Sequence, residues 1–210
     1  MEGRPGGRFA ELLAEPGVEE ELHLGSRFGF MAFHGGSLEV GTDQIAAAAA
    51  RASGGSLYVV RQPPQLRWHL PSREFDPAVS PALRTFVDHV EVAVAVHGYG
   101  RAGRWTTLMA GGSNRTLAAR VAGAIEARLP DYEVVHDLDA IPVELRGQNP
   151  ANPVNRPSGG GVQLELPPRV RGNGPFWDGH ASRAEGRLTP HTEALIDALV
   201  AVACGWPGAG

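Results

Sequence analysis

Apolar runs and helical patterns take turns along this chain. Residues 27–33, RFGFMAF, form a continuous apolar run that predicts a buried strand. Residues 43–54, DQIAAAAARASG, predict a helix with Thr42 or Asp43 as its N-cap and Gly54 as its stop. Further strands are predicted at 56–61, 90–98, 105–112, 132–137 and 161–167, the valine-rich VEVAVAVHG (90–98) being the clearest. Helices are predicted at 81–89, at 114–129 (Leu117, Val121, Ile125 and Leu129 on one face) and at 190–204, where Pro190 suits a first turn. Strands that alternate with helices and show little period-two patterning predict a mixed, largely parallel sheet covered on both faces. The expectation is a three-layer α/β/α sandwich, one domain over 1–210. Two connections, 142–160 and 172–189, are longer than a connector needs, which points to function.

Composition narrows the class. At 210 residues and 42% apolar content the chain can bury a full core. A net charge of −4 carries no basic stripe for nucleic acid or for an anionic membrane. No apolar run approaches the ~20 residues of a membrane span, and the N-terminal segment has no apolar signal region. A soluble protein made in the cytoplasm is therefore expected, open to release by lysis. The single cysteine, Cys204, rules out an internal disulfide, and no exposed heptad argues against a monomer. All 19 basic residues are arginines; biased codon use explains this, and so does a site that grips carboxylates with guanidinium forks.

The chemistry-bearing residues sit where strands end, which is where open α/β sheets bind ligands. The first strand runs into His34-Gly35-Gly36, and Glu39 follows five residues after the histidine. The 90–98 strand ends in His97-Gly98. Glu165 interrupts the otherwise apolar strand VQLEL. Two imidazoles and a carboxylate from separate strand ends make the N₂O set that holds catalytic zinc with one position open. Blander roles compete: core or surface histidines at strand ends, a helix-entry acid at Glu39, and an ion pair of Glu165 with Arg169 or Arg171. From the residues alone a metal hydrolase is one reading among these.

The ordered pieces FHGGSLEVGTDQIA, WHLPSREFDP, VAVAVHGYG, MAGGSNRTLAARV, NPANPVNR and GVQLELPPRVR, spanning about 30–171, resemble the poly-γ-glutamate hydrolase family. The resemblance implies a zinc carboxypeptidase-like fold and a Zn²⁺-dependent hydrolase. It implies that His34, Glu39 and His97 are the zinc ligands and that Glu165 is the general base acting on the attacking water. The spacing departs from the usual carboxypeptidase motif, in which two residues separate His and Glu; here four intervene. His69 and Ser72 in WHLPS match a family segment that faces the site, with a helix-capping loop as the alternative. Arg146, Asn152, Asn155 and Arg156 lie in the long loop before the base-bearing strand and suit a carboxylate-rich substrate. Tyr99 follows a ligand and is a candidate donor near the metal. His23, His89, His136, His180 and His191 match nothing and are assigned structural or exposed roles.

The implied substrate is an anionic γ-glutamyl polymer, cut at its isopeptide bonds. Two alternatives stay open at this point. One is a zinc carboxypeptidase or deacylase for small γ-glutamyl or acyl-amino-acid amides. The other is a catalytically idle polyanion-binding or replication-associated protein.

Overall fold

The computed structural model describes residues 7–173 and 188–208. Most of the predicted loop 172–189, with Trp177 and His180, lies outside the described residues. Seven strands form one sheet: β1 (Glu19–His23), β2 (Ser26–Gly36), β3 (Gly55–Gln62), β4 (Val92–Gly98), β5 (Thr107–Ala110), β6 (Glu133–Val135) and β7 (Gly161–Leu166). Their order is β1-β3-β2-β4-β7-β5-β6. The central strands β3, β2, β4 and β7 are parallel, while β1 and β5 run antiparallel to their neighbours β3 and β7. Five helices are described: α1 (Gly7–Ala14), α2 (Thr42–Ser53), α3 (Pro81–His89), α4 (Arg115–Glu126) and α5 (Pro190–Cys204). The expected α/β architecture on a mixed sheet is the one observed.

Side-chain alternation along the central strands sorts the core into two layers. Phe28, Phe30 and Ala32 of β2, Val92, Val94 and Val96 of β4, and Val162, Leu164 and Leu166 of β7 pack with α2, α4 and α5. Met31 and Phe33 of β2 and Ala93 and Ala95 of β4 pack on the opposite face, against Phe9 and Leu12 of α1, Leu83 and Phe86 of α3, and Leu70 and Phe75 between β3 and α3. β4 is buried throughout Val92–Val96, which explains its unbroken apolar run.

Two elements have no counterpart in the sequence reading. Helix α1 buries Phe9 and Leu12 completely, and the spacing of these residues was its only signal. Strand β1, EEELH, is an edge strand with one apolar residue, and charge is how edge strands resist further pairing. It is held by partners remote in sequence: the Tyr58 hydroxyl donates to Glu20 at 2.6 Å, and Arg61 pairs with Glu21 at 2.5 Å. The expected cap of α2 also differs. Gly41, at φ +93°, occupies the N-cap without a side-chain bond, and Asp43 instead accepts from Arg61 Nε at 2.9 Å and Gly36 N–H at 3.3 Å.

Candidate active site

A cavity of about 430 Å³ opens at the carboxyl ends of β2, β4 and β7, on the face carrying α1 and α3. Strict alternation would send His34 to the opposite face from Phe33. A bulge prevents this, since two residues of β2 (Phe33 and His34, between Ala32 and Gly35) oppose one of β3 (Val60, between Val59 and Arg61). Phe33 and His34 thus share a face, and both rings pack against Phe75, at 4.8 and 5.8 Å. Past the bulge the chain reverses. The Glu39 N–H donates back to the His34 carbonyl at 2.8 Å, and Gly36, at φ +72°, lies where a Cβ would collide with the Gln62 carbonyl. The four-residue spacer is therefore a closed loop that returns Glu39 to His34.

Three candidate ligands converge there. His34 Nδ1 is 2.7 Å from Glu39 Oε1, and His97 Nδ1 is 3.5 Å from Glu39 Oε2. Ligand atoms of all three lie within 4.8 Å of one another. His34 Nε2 contacts the Leu70 carbonyl at 2.8 Å. A carbonyl only accepts, so this nitrogen carries the proton, and Nδ1 of a neutral ring would point a lone pair at the Glu39 carboxylate. Only a proton or a metal ion between them makes that 2.7 Å approach favourable. His97 is 3% exposed, and its Nε2 has no hydrogen-bond partner among the described residues. This buried N₂O set, with one imidazole oriented by a backbone carbonyl, fits a divalent metal.

Electrostatics agree with the geometry. Burial pushes the Glu39 carboxyl up, but the charges and hydrogen bonds of His34 and then His97 outweigh it and hold the group well below the ordinary carboxylate range. The Gly98 N–H also donates to Glu39 Oε2, at 2.8 Å. For His97 burial lowers the pKa, and bonding to Glu39 more than reverses this.

Glu165 pairs in register with His97 across the β4–β7 ladder and is 4% exposed. Its carboxyl is raised, chiefly by burial and partly offset by the charge on His97. Neither Arg169 nor Arg171 pairs with it. Gln163, two residues earlier on the same strand face, donates to Glu165 Oε1 at 2.8 Å. Asn152 in turn donates to Gln163 Oε1 at 2.8 Å, which turns the amide NH₂ toward the carboxylate.

His69, Ser72, Tyr99 and Asn152 line the cavity. The His69 ring lies 4.7 Å from that of His34, and partial burial followed by the His34 charge lowers its pKa. The Tyr99 hydroxyl is directed to the Thr107 carbonyl, and burial pushes its pKa up to about 12. Arg146, Asn155 and Arg156 are not part of the lining. Arg146 Nε donates to the Ile141 carbonyl at 2.9 Å, and Asn155 ties Ser113 to Gly147 and Asn149. Arg156 is exposed.

Two residues absent from the sequence reading line the cavity, Arg73 and Gln163, and Arg171, expected only as an ion-pair partner for Glu165, braces it from behind. The Arg171 guanidinium donates to the carbonyls of Val40 at 2.9 Å, Leu166 at 3.2 Å and Tyr99 at 3.3 Å. These carbonyls follow Glu39 and Glu165 by one residue and His97 by two. The guanidinium fills the space a side chain at Gly98 would need, since a Cβ there would lie 2.6 Å from Arg171 Cζ. The period-two position of Gln163 behind Glu165 was its one legible signal.

Among the described residues no helix is long and apolar enough to cross a membrane. A solved structure of a bacteriophage poly-γ-glutamate hydrolase superposes with a TM-score of 0.73 at 24% identity, covering 91% of each chain. The zinc-free apo form of YNDL superposes at 0.72 with 20% identity, covering 90% of each chain. At these identities the two structures speak for the fold. No curated protein sequence matches significantly. The family description of poly-γ-glutamate hydrolase matches residues 9–196, a span that contains both strand-end histidines, Glu39 and Glu165. The chain belongs to the poly-γ-glutamate hydrolase family.

Proposed function

We propose that this protein is a zinc-dependent amide hydrolase that cuts the γ-glutamyl bonds of poly-γ-glutamate. The observation that carries the reading is the convergence of His34, Glu39 and His97 within 4.8 Å, with Glu165 in the same cavity. Family membership supports hydrolysis of the polymer, and the solved relative in a zinc-free form supports zinc as the metal. His34, Glu39 and His97 would hold the ion. Bound there, zinc supplies Lewis-acid polarisation of the amide carbonyl and acidifies water.

The chain's own residues supply the proton traffic. Glu165 takes a proton from the attacking water as the new C–O bond forms. It returns that proton to the leaving nitrogen as the C–N bond breaks, giving one carboxylate and one amine. Gln163 and Asn152 keep the Glu165 carboxylate turned into the cavity. His69, with its lowered pKa, remains neutral at pH 7 and adds no like charge beside the ligands.

The test is gel filtration of poly-γ-glutamate after incubation with the zinc-loaded protein, with His34→Ala as control. Shortened polymer with the native protein, and a variant that neither retains zinc nor cuts, is the expected result. An unchanged polymer profile would refute this substrate, and stoichiometric zinc in His34→Ala would refute the ligand set.

A further inference from the structure

We infer that Arg73 is the seat for a free carboxylate of the substrate beside the scissile amide, and so sets specificity for γ-linked glutamate. The inference rests on the hydrolase reading above. Arg73 lines the same cavity as the three candidate ligands and Glu165. Its side chain is exposed, and among the described residues no hydrogen bond or ion pair engages it.

Its backbone, by contrast, is fixed at both ends. The Leu70 carbonyl contacts His34 Nε2 at 2.8 Å on one side. On the other, Glu74 N–H donates to Pro71 O at 2.8 Å, the Glu74 carboxylate pairs with Arg8 at 3.2 Å, and Phe75 is fully buried. The turn therefore fixes the point from which the guanidinium reaches into the cavity, and the guanidinium itself has no competing partner among the described residues.

Charge balance assigns it a role. The lining carries the acids Glu39, Glu144 and Glu165 and, among the described residues, the single arginine Arg73. Glu144 is neutralised by Arg101 from the neighbouring loop. A divalent ion on the ligand set would balance Glu39 and Glu165. Arg73 then remains as the unmatched positive charge, and its planar fork fits a carboxylate bidentately. Each γ-linked glutamyl residue keeps its α-carboxylate free, and on the leaving side that group sits on the carbon bearing the scissile nitrogen. In an α-linked chain the same position is an amide.

The experiment compares kcat/KM on a γ-linked glutamate hexamer and on the same hexamer with its α-carboxylates amidated, for the native protein, Arg73→Met and Arg73→Lys, all zinc-loaded. The native protein is expected to prefer the free carboxylates by roughly 10–100-fold, the range of a charge-assisted hydrogen bond. Arg73→Met should lose that preference and cut both hexamers at the rate of the amidated one. Arg73→Lys, which keeps charge without the fork, should recover part of it. Zinc content and melting temperature should not change, because Arg73 has no native partner among the described residues. A preference retained in Arg73→Met, or none in an active native protein, would overturn the role of Arg73 alone. A native protein that cuts neither hexamer would refute the hydrolase reading itself, and the inference with it.

Discussion

Replacing Arg171 with methionine tests whether the ligand-bearing turns are held from behind. Methionine keeps an unbranched, largely apolar stem and removes the guanidinium. Three bonds to carbonyls are lost, at 2.9, 3.2 and 3.3 Å. A hydrogen bond from a charged donor contributes about 1.5–3 kcal/mol, less when long. Two of the three acceptors keep another donor: Leu166 O still receives Tyr99 N–H at 3.0 Å, and Val40 O still receives Asn173 Nδ2 at 3.1 Å. Tyr99 O loses the donor it has in this cluster. The net destabilisation is therefore about 2–4 kcal/mol rather than the sum of three full bonds. For a chain of this size that lowers the melting temperature by roughly 4–16 °C. Because the three carbonyls follow the ligands and base so closely, zinc affinity should also fall about 10–100-fold, as for other groups that support metal ligands. Melting followed by circular dichroism on metal-free protein, together with zinc titration against a competing chelator, reads both effects. A melting point within about 1 °C of native with unchanged zinc affinity would refute the reasoning. A lowered melting point with native zinc affinity would leave Arg171 a structural brace with no hold on the ligands.

Other predictions follow from the same geometry. Glu165→Gln should retain stoichiometric zinc while kcat falls about 10²–10⁴-fold; near-native turnover would remove Glu165 as the base. The base works ionised and burial raises its pKa, so kcat/KM should decline toward acid with a limb above the ordinary carboxylate value of 4.5. Gln163→Leu removes a bond that favours the ionised form, so that limb should move to higher pH; a shift to lower pH would contradict the Gln163 contact. Phe75→Ala empties a fully buried site packed on Phe9 and Phe33 at 4.7 and 4.8 Å, and should cost about 3–5 kcal/mol in denaturant unfolding. A loss below about 1 kcal/mol would mean that this part of the core can collapse around the gap.

What the sequence determined by itself was the part written in local pattern. Apolar runs marked the central strands because β2, β4 and β7 are buried on both faces, and the one-face periodicity of α4, the Gly54 stop of α2 and the first-turn Pro190 of α5 were local signals of the same kind. His34, His97 and Glu165 were conspicuous because polar groups near the ends of buried strands are costly to bury without partners. Elements held by distant partners were silent. β1 has an edge strand's polar sequence and owes its place to Tyr58 and Arg61, while α1 is a short helix whose two buried residues find their contacts at Phe75 and beyond. The bulge that turns His34 onto the face of Phe33, the in-register pairing of His97 with Glu165, and the reach of Arg171 to three separate turns were decided only in the folded chain. Each depends on which strands become neighbours and in what register, and strand order is a property of the whole sheet that no single stretch of sequence carries.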